Sequence, residues 1–328
     1  MKVCVVGAGA IGATIGVRLA AGGHEVSLVA RGAHLDSIRA DGLRFIDNVG
    51  GHSGIYRLAA SADPGELGLQ DWVFLALKAH QLPAILASIS ALLGPETVVV
   101  PAINGLPWWY FYRSGGDFDG ICLRTLDPHA DMMRLLPCAR ILGCVVHLAA
   151  ELRAPGEVHC TAGRRLIIGE PDNSDTKRLR AVAAGLAAAG FAVECSRDIR
   201  REIWIKLIGN LSFNPIAALT GYRMDQICAD EELLDVIRAI LREGAAVAAR
   251  LGVDVGITPD ERIGIARQLG AAKISMLQDL ENRRSLELAP IVGAVIELAQ
   301  RVGVEVPATR TVHALVQARA RALDLPAV

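Results

Sequence analysis

The stretch that decides the fold reads Val3-Cys4-Val5-Val6-Gly7-Ala8-Gly9-Ala10-Ile11-Gly12, close to the start of the chain. A compact apolar run, rich in valine, leads directly into a G-x-G-x-x-G turn and the start of a helix. In such a turn Gly7 permits the tight bend, Gly9 lets a pyrophosphate approach the backbone, and Gly12 lets the helix pack closely on the strand. Because strand and helix flank the turn, the pattern indicates a dinucleotide-binding βαβ unit rather than a glycine-rich turn without a ligand.

The residues after the second predicted strand, Glu25–Ala30, indicate which dinucleotide binds. NAD-binding proteins usually carry an acidic residue at this point, which holds the ribose hydroxyls. Here the sequence continues with Arg31, which can pair with a 2′-phosphate, so NADP(H) is the predicted cofactor; the alternative is a solvated surface arginine. The N–H groups at the helix start, at Ala10 and Ile11, would face the phosphates.

Strand and helix patterns alternate through the first 200 residues, which predicts a parallel sheet with crossover helices. Strands are expected at Trp72–Leu77 and Val98–Ile103, with a helix at Leu82–Leu93 between them. After about residue 197 only helical periodicity remains. The helices expected there are Arg200–Leu219, Glu231–Leu251, Pro259–Leu280, Glu287–Val302 and Thr309–Leu323. We therefore expect an α/β fold of two domains, with residues 1–197 as a Rossmann-type domain and residues 198–328 as an all-α domain.

Composition narrows the possible partners. The chain has 328 residues, and 34 Lys and Arg stand against 35 Asp and Glu, so a basic face for nucleic acid is not expected. Hydrophobic residues reach 52%, yet we find no run of the length and uniformity that a membrane-spanning helix needs. The uncharged N-terminal run resembles a secretory signal, but its glycines favour the dinucleotide loop. Seven scattered cysteines without a CxxC pair predict a cytoplasmic protein without disulfides or a bound metal.

The segment from Arg201 to Pro215 predicts a buried helix that carries one polar stripe. Lys206, Asn210 and Asn214 recur at intervals of four residues within apolar surroundings, and they drift by only about 80° around the helix axis. A buried lysine is costly unless it is paired, so the stripe is expected to line a polar cleft. A lysine there can donate a proton to a developing alkoxide. The alternative is a lysine that extends to solvent and two asparagines that cap neighbouring loops.

The whole chain resembles the ketopantoate reductase (2-dehydropantoate 2-reductase) family. The resemblance rests on the glycine loop and on further motifs whose order and spacing agree with that family. Two of these motifs are Leu77-Lys78-Ala79-His80-Gln81 and Asn104-Gly105. A third is the helix pattern of Lys206, Asn210 and Asn214-Pro215, followed by Ala218-Leu219-Thr220. The fourth is Ser275-Met276-Leu277-Gln278-Asp279, with Glu287 twelve residues after Ser275. The resemblance implies a Rossmann-type domain followed by a helical domain like the C-terminal domain of 6-phosphogluconate dehydrogenase.

The resemblance also implies an activity, the NADPH-dependent reduction of ketopantoate, a small-molecule 2-oxo acid, to pantoate in pantothenate synthesis. Lys206 would be the general acid, and Glu287 would hold Lys206 or a substrate hydroxyl. Asn210 and Asn214 would bind that hydroxyl, Ser275 would bind the carboxylate, and Lys78 and Asn104 would lie where nicotinamide meets substrate. The residues that the resemblance assigns to cofactor binding are Gly7, Gly9, Ala10, Ile11, Gly12, Arg31, Lys78, Asn104 and Glu287.

Each of these residues also has a plainer interpretation. Lys78 is then a solvated lysine at a strand end, and Asn104-Gly105 is only a turn. Ser275 and Asp279 are local partners on one helix face, and Glu287 interacts with the dipole of a helix start. A non-catalytic NADP(H)-binding sensor would need none of these roles, and it would keep cofactor binding without turnover.

Two departures from the family pattern keep the substrate open. Where the family usually has aspartate and asparagine near its glutamate, this chain has Ala289 and Val292. Either those groups are structural, or the pocket accepts a different, more apolar 2-oxo acid. The run Trp108-Trp109-Tyr110-Phe111-Tyr112 holds five of the 14 aromatic residues. It is expected to form either an apolar lid over the pocket or an interdomain or homodimer contact.

Overall fold

A computed structural model describes residues 1–50 and 53–327 of the chain. It divides into two compact units. One comprises Met1–Ile103, Trp109–Cys122 and Ala130–Ile199, and the other comprises Asn104–Trp108, Leu123–His129 and Arg200–Val328. Two short segments from the first half of the chain, including Asn104, therefore belong to the second, helical unit.

The first unit contains ten strands and five helices within the described residues. Its strands are β1 (Lys2–Val6), β2 (Glu25–Val29), β3 (Leu43–Asp47), β4 (Gly54–Tyr56), β5 (Ala59–Ser61), β6 (Gln70–Leu75), β7 (Leu93–Pro101), β8 (Gly143–Ala154), β9 (Glu157–Gly169) and β10 (Ala192–Cys195). Its helices are α1 (Ala10–Ala21), α2 (Gly32–Asp41), α3 (Leu86–Ile89), α4 (Asp131–Leu135) and α5 (Lys177–Ala188). The predicted helix Leu82–Leu93 was too long, because only four residues are α-helical and 3₁₀ turns flank them.

A five-stranded parallel sheet in the order β5-β2-β1-β6-β7 confirms the predicted Rossmann-type architecture. Its central strand β1 is buried from Val3 to Val6, as a strand covered on both faces requires. The backbone N–H groups of Gly7 and Ala8 donate to the carbonyl of Val29 at 3.1 and 3.0 Å, and that of Ala76 donates to Val6 at 2.9 Å. These bonds fix the loops at the carboxyl edge, where ligands bind in such sheets.

A second sheet was anticipated only in part. Its strands β8, β9 and β10 overlap the apolar runs Ile141–Ala149, Leu166–Gly169 and Phe191–Cys195, which predict strands, whereas β3 and β4 were not predicted. Strand β9 pairs antiparallel with β8, and it also pairs in parallel with β3 through Glu157–Cys160 and with β10 through Arg165–Ile168. Helix α1 packs against strands of both sheets. Arg18 of α1 is buried and donates to Asp47 of β3 at 2.5 Å, with its guanidinium 5.5 Å from the ring centre of Phe191. This ion pair ties the first helix to the second sheet.

Helices make up the second unit. They are α6 (Ile199–Thr220), α7 (Met224–Cys228), α8 (Glu231–Arg250), α9 (Pro259–Arg267), α10 (Ser275–Glu281), α11 (Ala294–Val302) and α12 (Pro307–Ala322). The first residue of α6, Ile199, still belongs to the first unit. The single helix predicted at Pro259–Leu280 was wrong. It is interrupted between α9 and α10, where Gly270 has a φ of +56°. The helix predicted at Glu287–Val302 begins as a π-helical turn over Ala289–Gly293.

The aromatic run is buried rather than exposed. Trp108, Trp109, Tyr110 and Phe111 are each at most 3% exposed. Tyr110 and Phe111 stack edge to face with ring centres 4.9 Å apart. A Cβ added to Gly143 would lie 2.7 Å from the Trp109 ring, so the indole occupies the space that this glycine leaves. The Trp109 indole therefore packs inside the first unit.

Within the described residues no helix combines the length and the apolar character that crossing a membrane requires.

Candidate functional site

The glycine loop has the geometry that its three glycines predict. Gly7 adopts a φ of +99°, which favours glycine. A Cβ on Gly12 would lie 2.0 Å from the carbonyl oxygen of Gly7, so any side chain there would separate helix from loop. Beside Gly9 a Cβ would meet nothing within 4 Å, which leaves open space for a ligand.

The start of α1 is suited to hold phosphates. Gly9 is its N-cap residue, no side chain caps the helix, and no acidic residue stands in its first turn. The first-turn N–H groups at Ala10 and Ile11 therefore remain available to an anion, and the helix dipole favours negative charge there. These features fit the pyrophosphate of a dinucleotide.

Two cationic residues follow β2 and β6, the strands on either side of β1, at the same edge of the sheet. Arg31 comes two residues after β2, is exposed, and makes no ion pair within the described residues. Lys78 follows β6, and its backbone N–H donates to Gln81 Oε1 at 3.3 Å. A guanidinium at the end of β2 fits a 2′-phosphate better than the hydroxyls that an acidic residue would hold.

His34 forms a hydrogen bond with the glycine loop, a contact that the sequence did not predict. Its Nε2 lies 2.7 Å from the carbonyl of Ala8, and its Nδ1 accepts from the backbone N–H of Gly156 at 2.9 Å. Nδ1 must be unprotonated to accept, so Nε2 carries the proton and donates to Ala8. Burial lowers the pKa of His34, although the bond to Ala8 opposes this shift. A lone histidine within α2 gave no signal of its own, because its partners come from distant parts of the chain.

In the second unit Lys206, Asn104 and Glu287 form one hydrogen-bonded line. Lys206 Nζ donates to Asn104 Oδ1 at 2.9 Å, and Asn104 Nδ2 donates to Glu287 Oε2 at 3.3 Å. Lysine can only donate and a carboxylate can only accept, so the two partners fix the orientation of the Asn104 amide. Glu287 is 7% exposed. The Asn104 amide thus contacts Lys206, 102 positions away, and the buried Glu287, 183 positions away.

Asn104 owes its position to the residue that follows it. Gly105 has a φ of +80°, and a Cβ there would lie 2.4 Å from the carbonyl oxygen of Pro290. The next residue, Leu106, donates its N–H to that same carbonyl at 2.8 Å. The Asn104 loop is therefore seated directly on the π-helical turn that follows Glu287. Only glycine permits both the conformation and the close approach.

The remaining members of the polar stripe lie farther along α6. Asn214 is buried, and its Nδ2 donates to Ser275 Oγ at 3.5 Å, so the structure brings this pair together at the start of α10. Asn210 is half-buried and makes no side-chain hydrogen bond to another described residue. Its amide is available to a ligand. The predicted stripe thus divides into a linked lysine, an available asparagine and a second linked asparagine.

The two departures from the family pattern have different surroundings. Val292 is 1% exposed, which identifies it as core packing. Ala289 is partly exposed and borders a surface cavity of about 620 Å³, together with Arg124 and His313. The apolar replacement at 292 therefore serves the interior of the helical unit.

The described residues contain no group of three or more histidine, cysteine or acidic side chains arranged to hold a metal ion.

Comparison with known proteins agrees with this arrangement. Residues 3–173 match the family model described as ketopantoate reductase PanE/ApbA, and residues 198–320 match its C-terminal model. A 2-dehydropantoate 2-reductase of Mesorhizobium japonicum is 43% identical over 318 residues, which is 97% of each chain.

The structure is also similar to solved structures of this family. The 2-dehydropantoate 2-reductase of Geobacter metallireducens GS-15 superposes with a TM-score of 0.85 at 27% identity, and covers 97% of this chain and 100% of its own. A ketopantoate reductase of the PanE/ApbA family from Ralstonia eutropha JMP134 gives 0.82 at 29% identity, over 99% of this chain and 100% of its own. With both family models matched and a relative similar over nearly its full length, the chain belongs to the ketopantoate reductase family.

Proposed function

We propose that this protein reduces 2-dehydropantoate (ketopantoate) to pantoate, with NADPH as the reductant, in pantothenate synthesis. The observation that carries the proposal is the line Lys206–Asn104–Glu287, because it presents a fixed ammonium group in a family of 2-oxo acid reductases. The first unit would bind the dinucleotide, and the second unit, which includes Asn104, would supply the catalytic and substrate-binding groups.

Lys206 acts as the general acid in this proposal. When bound, the nicotinamide cofactor supplies a hydride to the carbonyl carbon of the 2-oxo acid. The carbonyl π electrons move to oxygen, and Lys206 Nζ transfers a proton to that oxygen as it becomes negative. The ammonium group stabilises the developing charge more than the neutral carbonyl, so it lowers the barrier rather than only tightening binding.

Asn104 and Glu287 keep Lys206 in place and charged. Asn104 Oδ1 accepts one ammonium hydrogen at 2.9 Å and restricts the rotation of the lysine side chain. The carboxylate of Glu287 polarises the amide from its other side, which makes Oδ1 a stronger acceptor. In the complex with substrate, an ammonium hydrogen of Lys206 would point at the carbonyl oxygen of the 2-oxo acid.

The remaining polar groups are assigned to the substrate. Asn210 and Asn214 would bind its 4-hydroxyl group, and Ser275 would donate to its carboxylate. Asn214 already orients the Ser275 hydroxyl by donating to Oγ at 3.5 Å, which leaves the hydroxyl hydrogen free to point at an anion.

On the cofactor side, the open space beside Gly9 and the uncapped start of α1 suit the pyrophosphate. Arg31 would pair with the 2′-phosphate, and Lys78 would lie near the nicotinamide. A cytoplasmic location and a homodimer stay predictions from the sequence.

The test is a steady-state assay of purified protein with NADPH or NADH against a panel of 2-oxo acids, with and without the gem-dimethyl and 4-hydroxyl groups. We expect the highest kcat/KM for ketopantoate with NADPH. A higher kcat/KM for an apolar 2-oxo acid would reject the substrate assignment, and cofactor binding without any turnover would indicate a sensor.

Arg31→Ala tests the cofactor assignment separately. Loss of one charge-assisted contact costs about 1.5–3 kcal/mol, so KM for NADPH should rise by about 10-fold to 150-fold, while the kinetics with NADH stay unchanged. Arg57→Ala, an exposed arginine of the same unit, is the matched control. An equal effect of R31A on both cofactors would refute the assignment of Arg31 to the 2′-phosphate.

A further inference from the structure

Arg262 is a partly buried arginine of the helical unit that forms no ion pair within the described residues. It lies in α9, its Nη1 is buried, and Nη1 has no hydrogen-bond partner among the described residues. The nearby acidic residues are engaged elsewhere. Asp260 pairs with Arg238 at 2.9 Å, and Glu261 accepts from the backbone N–H and hydroxyl of Thr258 at 2.8 Å each.

Helix α6 is shaped to admit this guanidinium. A Cβ on Gly209 would lie 2.0 Å from Arg262 Nη2, so a side chain at this position would expel the arginine. The guanidinium carbon lies 5.8 Å from the ring centre of Phe213, a distance at which the ring face attracts a cation. Burial also lowers the pKa of Arg262, as expected for a cation without an anion beside it.

A cavity of about 200 Å³ adjoins this arginine, and its chemistry is that of an anion site with an apolar floor. Arg262 and Arg242 line it, and no acidic side chain does. Arg242 is an exposed residue of α8 that makes no ion pair within the described residues. The apolar walls include Ile208, Leu241 and Ile257.

This cavity is distinct from the Lys206 line. Ile208 lies two residues after Lys206 on α6, which is about 200° around a helix. Ile208 therefore faces away from Lys206, and the residues that line the cavity do not include Lys206, Asn104 or Glu287. The Arg262 guanidinium, which lies against Gly209 and Phe213, extends from the cavity toward the side of α6 that carries Lys206.

We propose that this cavity binds a small carboxylate with a short branched apolar chain. Its carboxylate would pair with Arg262 and Arg242, and its apolar part would pack on Ile208, Leu241 and Ile257. An uncompensated buried cation is costly, and a bound anion removes that cost. Binding would therefore stabilise the folded helical unit and restrain α6.

The test uses the full-length protein without cofactor. Thermal unfolding is followed at constant ionic strength while sodium isobutyrate replaces sodium chloride. We expect a saturable rise in Tm with a half-maximal concentration of about 1–10 mM, which suits a ligand of about six heavy atoms. The absence of a saturable rise would overturn the proposal.

Three variants locate the effect. Arg262→Met and Arg242→Gln should each raise the half-maximal concentration at least tenfold, since each loses a charge-assisted contact. Arg250→Gln, on the same helix as Arg242 and also exposed, is the matched control and should respond like the wild type. Arg242 is at the surface, so R242Q remains informative if R262M fails to fold. An unchanged response in R242Q would place isobutyrate elsewhere, including the substrate site, and would overturn the proposal.

Discussion

His34 illustrates how one side chain can join parts of the chain that lie far apart in sequence. It donates from Nε2 to the glycine loop and accepts at Nδ1 from Gly156. Protonation of the ring would add a hydrogen at Nδ1 and break the second bond. The folded state therefore favours the neutral ring, which agrees with the lowered pKa of His34.

This preference predicts how stability changes with pH. In the unfolded chain His34 titrates near 6.5, and in the folded chain it titrates lower. Below pH 6.5 the unfolded state therefore binds more protons, so the free energy of unfolding should fall as the pH drops. Urea unfolding between pH 5 and 8 measures this slope.

His34→Gln should reduce that slope without removing it, because burial also lowers the pKa of His24, His80 and His313. His129→Gln, which changes an exposed histidine, serves as the control. A slope that is the same in H34Q and in the wild type would contradict the account.

The Asn104 amide offers a second prediction. Asn104→Asp replaces the donor that faces Glu287 with a carboxylate, so two like charges would meet and the pKa of the pair would rise. We expect kcat/KM to fall by about 10²–10³-fold and the pH–rate profile to shift. Asn104→Ala should lower the rate without that shift. Identical pH profiles for N104D and N104A would show that the amide does not link Lys206 to Glu287.

At the residue scale the sequence indicated the candidate site residues but not the order in which they bond to one another. The polar stripe on α6 follows from helical spacing, and the glycine loop follows from its motif. That Asn104 stands between Lys206 and Glu287 does not follow, because the contacts span 102 and 183 positions. Arg262 was missed for the same reason: nothing local reveals that an arginine in an amphipathic helix lacks an acidic partner.

Among the elements, the Asn104 loop and the π-helical turn at Ala289–Gly293 act as a pair. A π-helical turn often marks a functional position in a helix. Here it presents the Pro290 carbonyl to Leu106 and leaves no space for a side chain at Gly105.

Gly105→Ala should therefore lower the activity in two ways, through the backbone strain at a positive φ and through a displacement of the Asn104 loop. The added Cβ would meet a backbone carbonyl at 2.4 Å, so the loop that carries Asn104 must shift. We expect kcat/KM to fall by about 10²-fold or more, since misplacement by about 1 Å has that cost. Gly303→Ala is the matched control, because Gly303 has a φ of +67° and open space around it. If G105A and G303A both keep wild-type kcat/KM, the loop does not position Asn104.

The ion pair between Arg18 and Asp47 links α1 to β3, and its removal should be costly. Asp47→Ala leaves Arg18 charged in an interior position, where breaking a buried pair costs about 3–5 kcal/mol. Asp175→Ala breaks the exposed pair with Arg180 in the same unit and should leave the free energy of unfolding close to the wild-type value. Urea unfolding of the two variants measures the difference. Equal losses would show that the buried pair does not tie the helix to the sheet.

Element boundaries followed the sequence where periodicity was long and uninterrupted. Strand β1 and helices α6, α8 and α12 begin and end within two residues of their predicted bounds. Strand β4 of the second sheet was missed because it has only three residues and is largely exposed. The interruption at Gly270 was missed because the residues on both sides of it keep a helical pattern.

For the whole molecule, the sequence predicted a Rossmann-type part and a helical part, and the fold agrees. It did not predict that Asn104–Trp108 and Leu123–His129 belong to the helical unit. That assignment has a functional consequence. The Lys206–Asn104–Glu287 line is built entirely within one compact unit, so its geometry depends on the core of that unit alone.

The measurement that tests the central claim most directly is ketopantoate reduction by Lys206→Met. The variant keeps the length and apolar stem of the side chain and removes the proton donor. We predict that kcat falls by about 10²–10⁴-fold, while NADPH affinity and Tm stay close to those of the wild type. Lys177→Met, at an exposed lysine of α5, is the control and should leave kcat unchanged. A kcat for K206M within tenfold of the wild-type value would contradict the account.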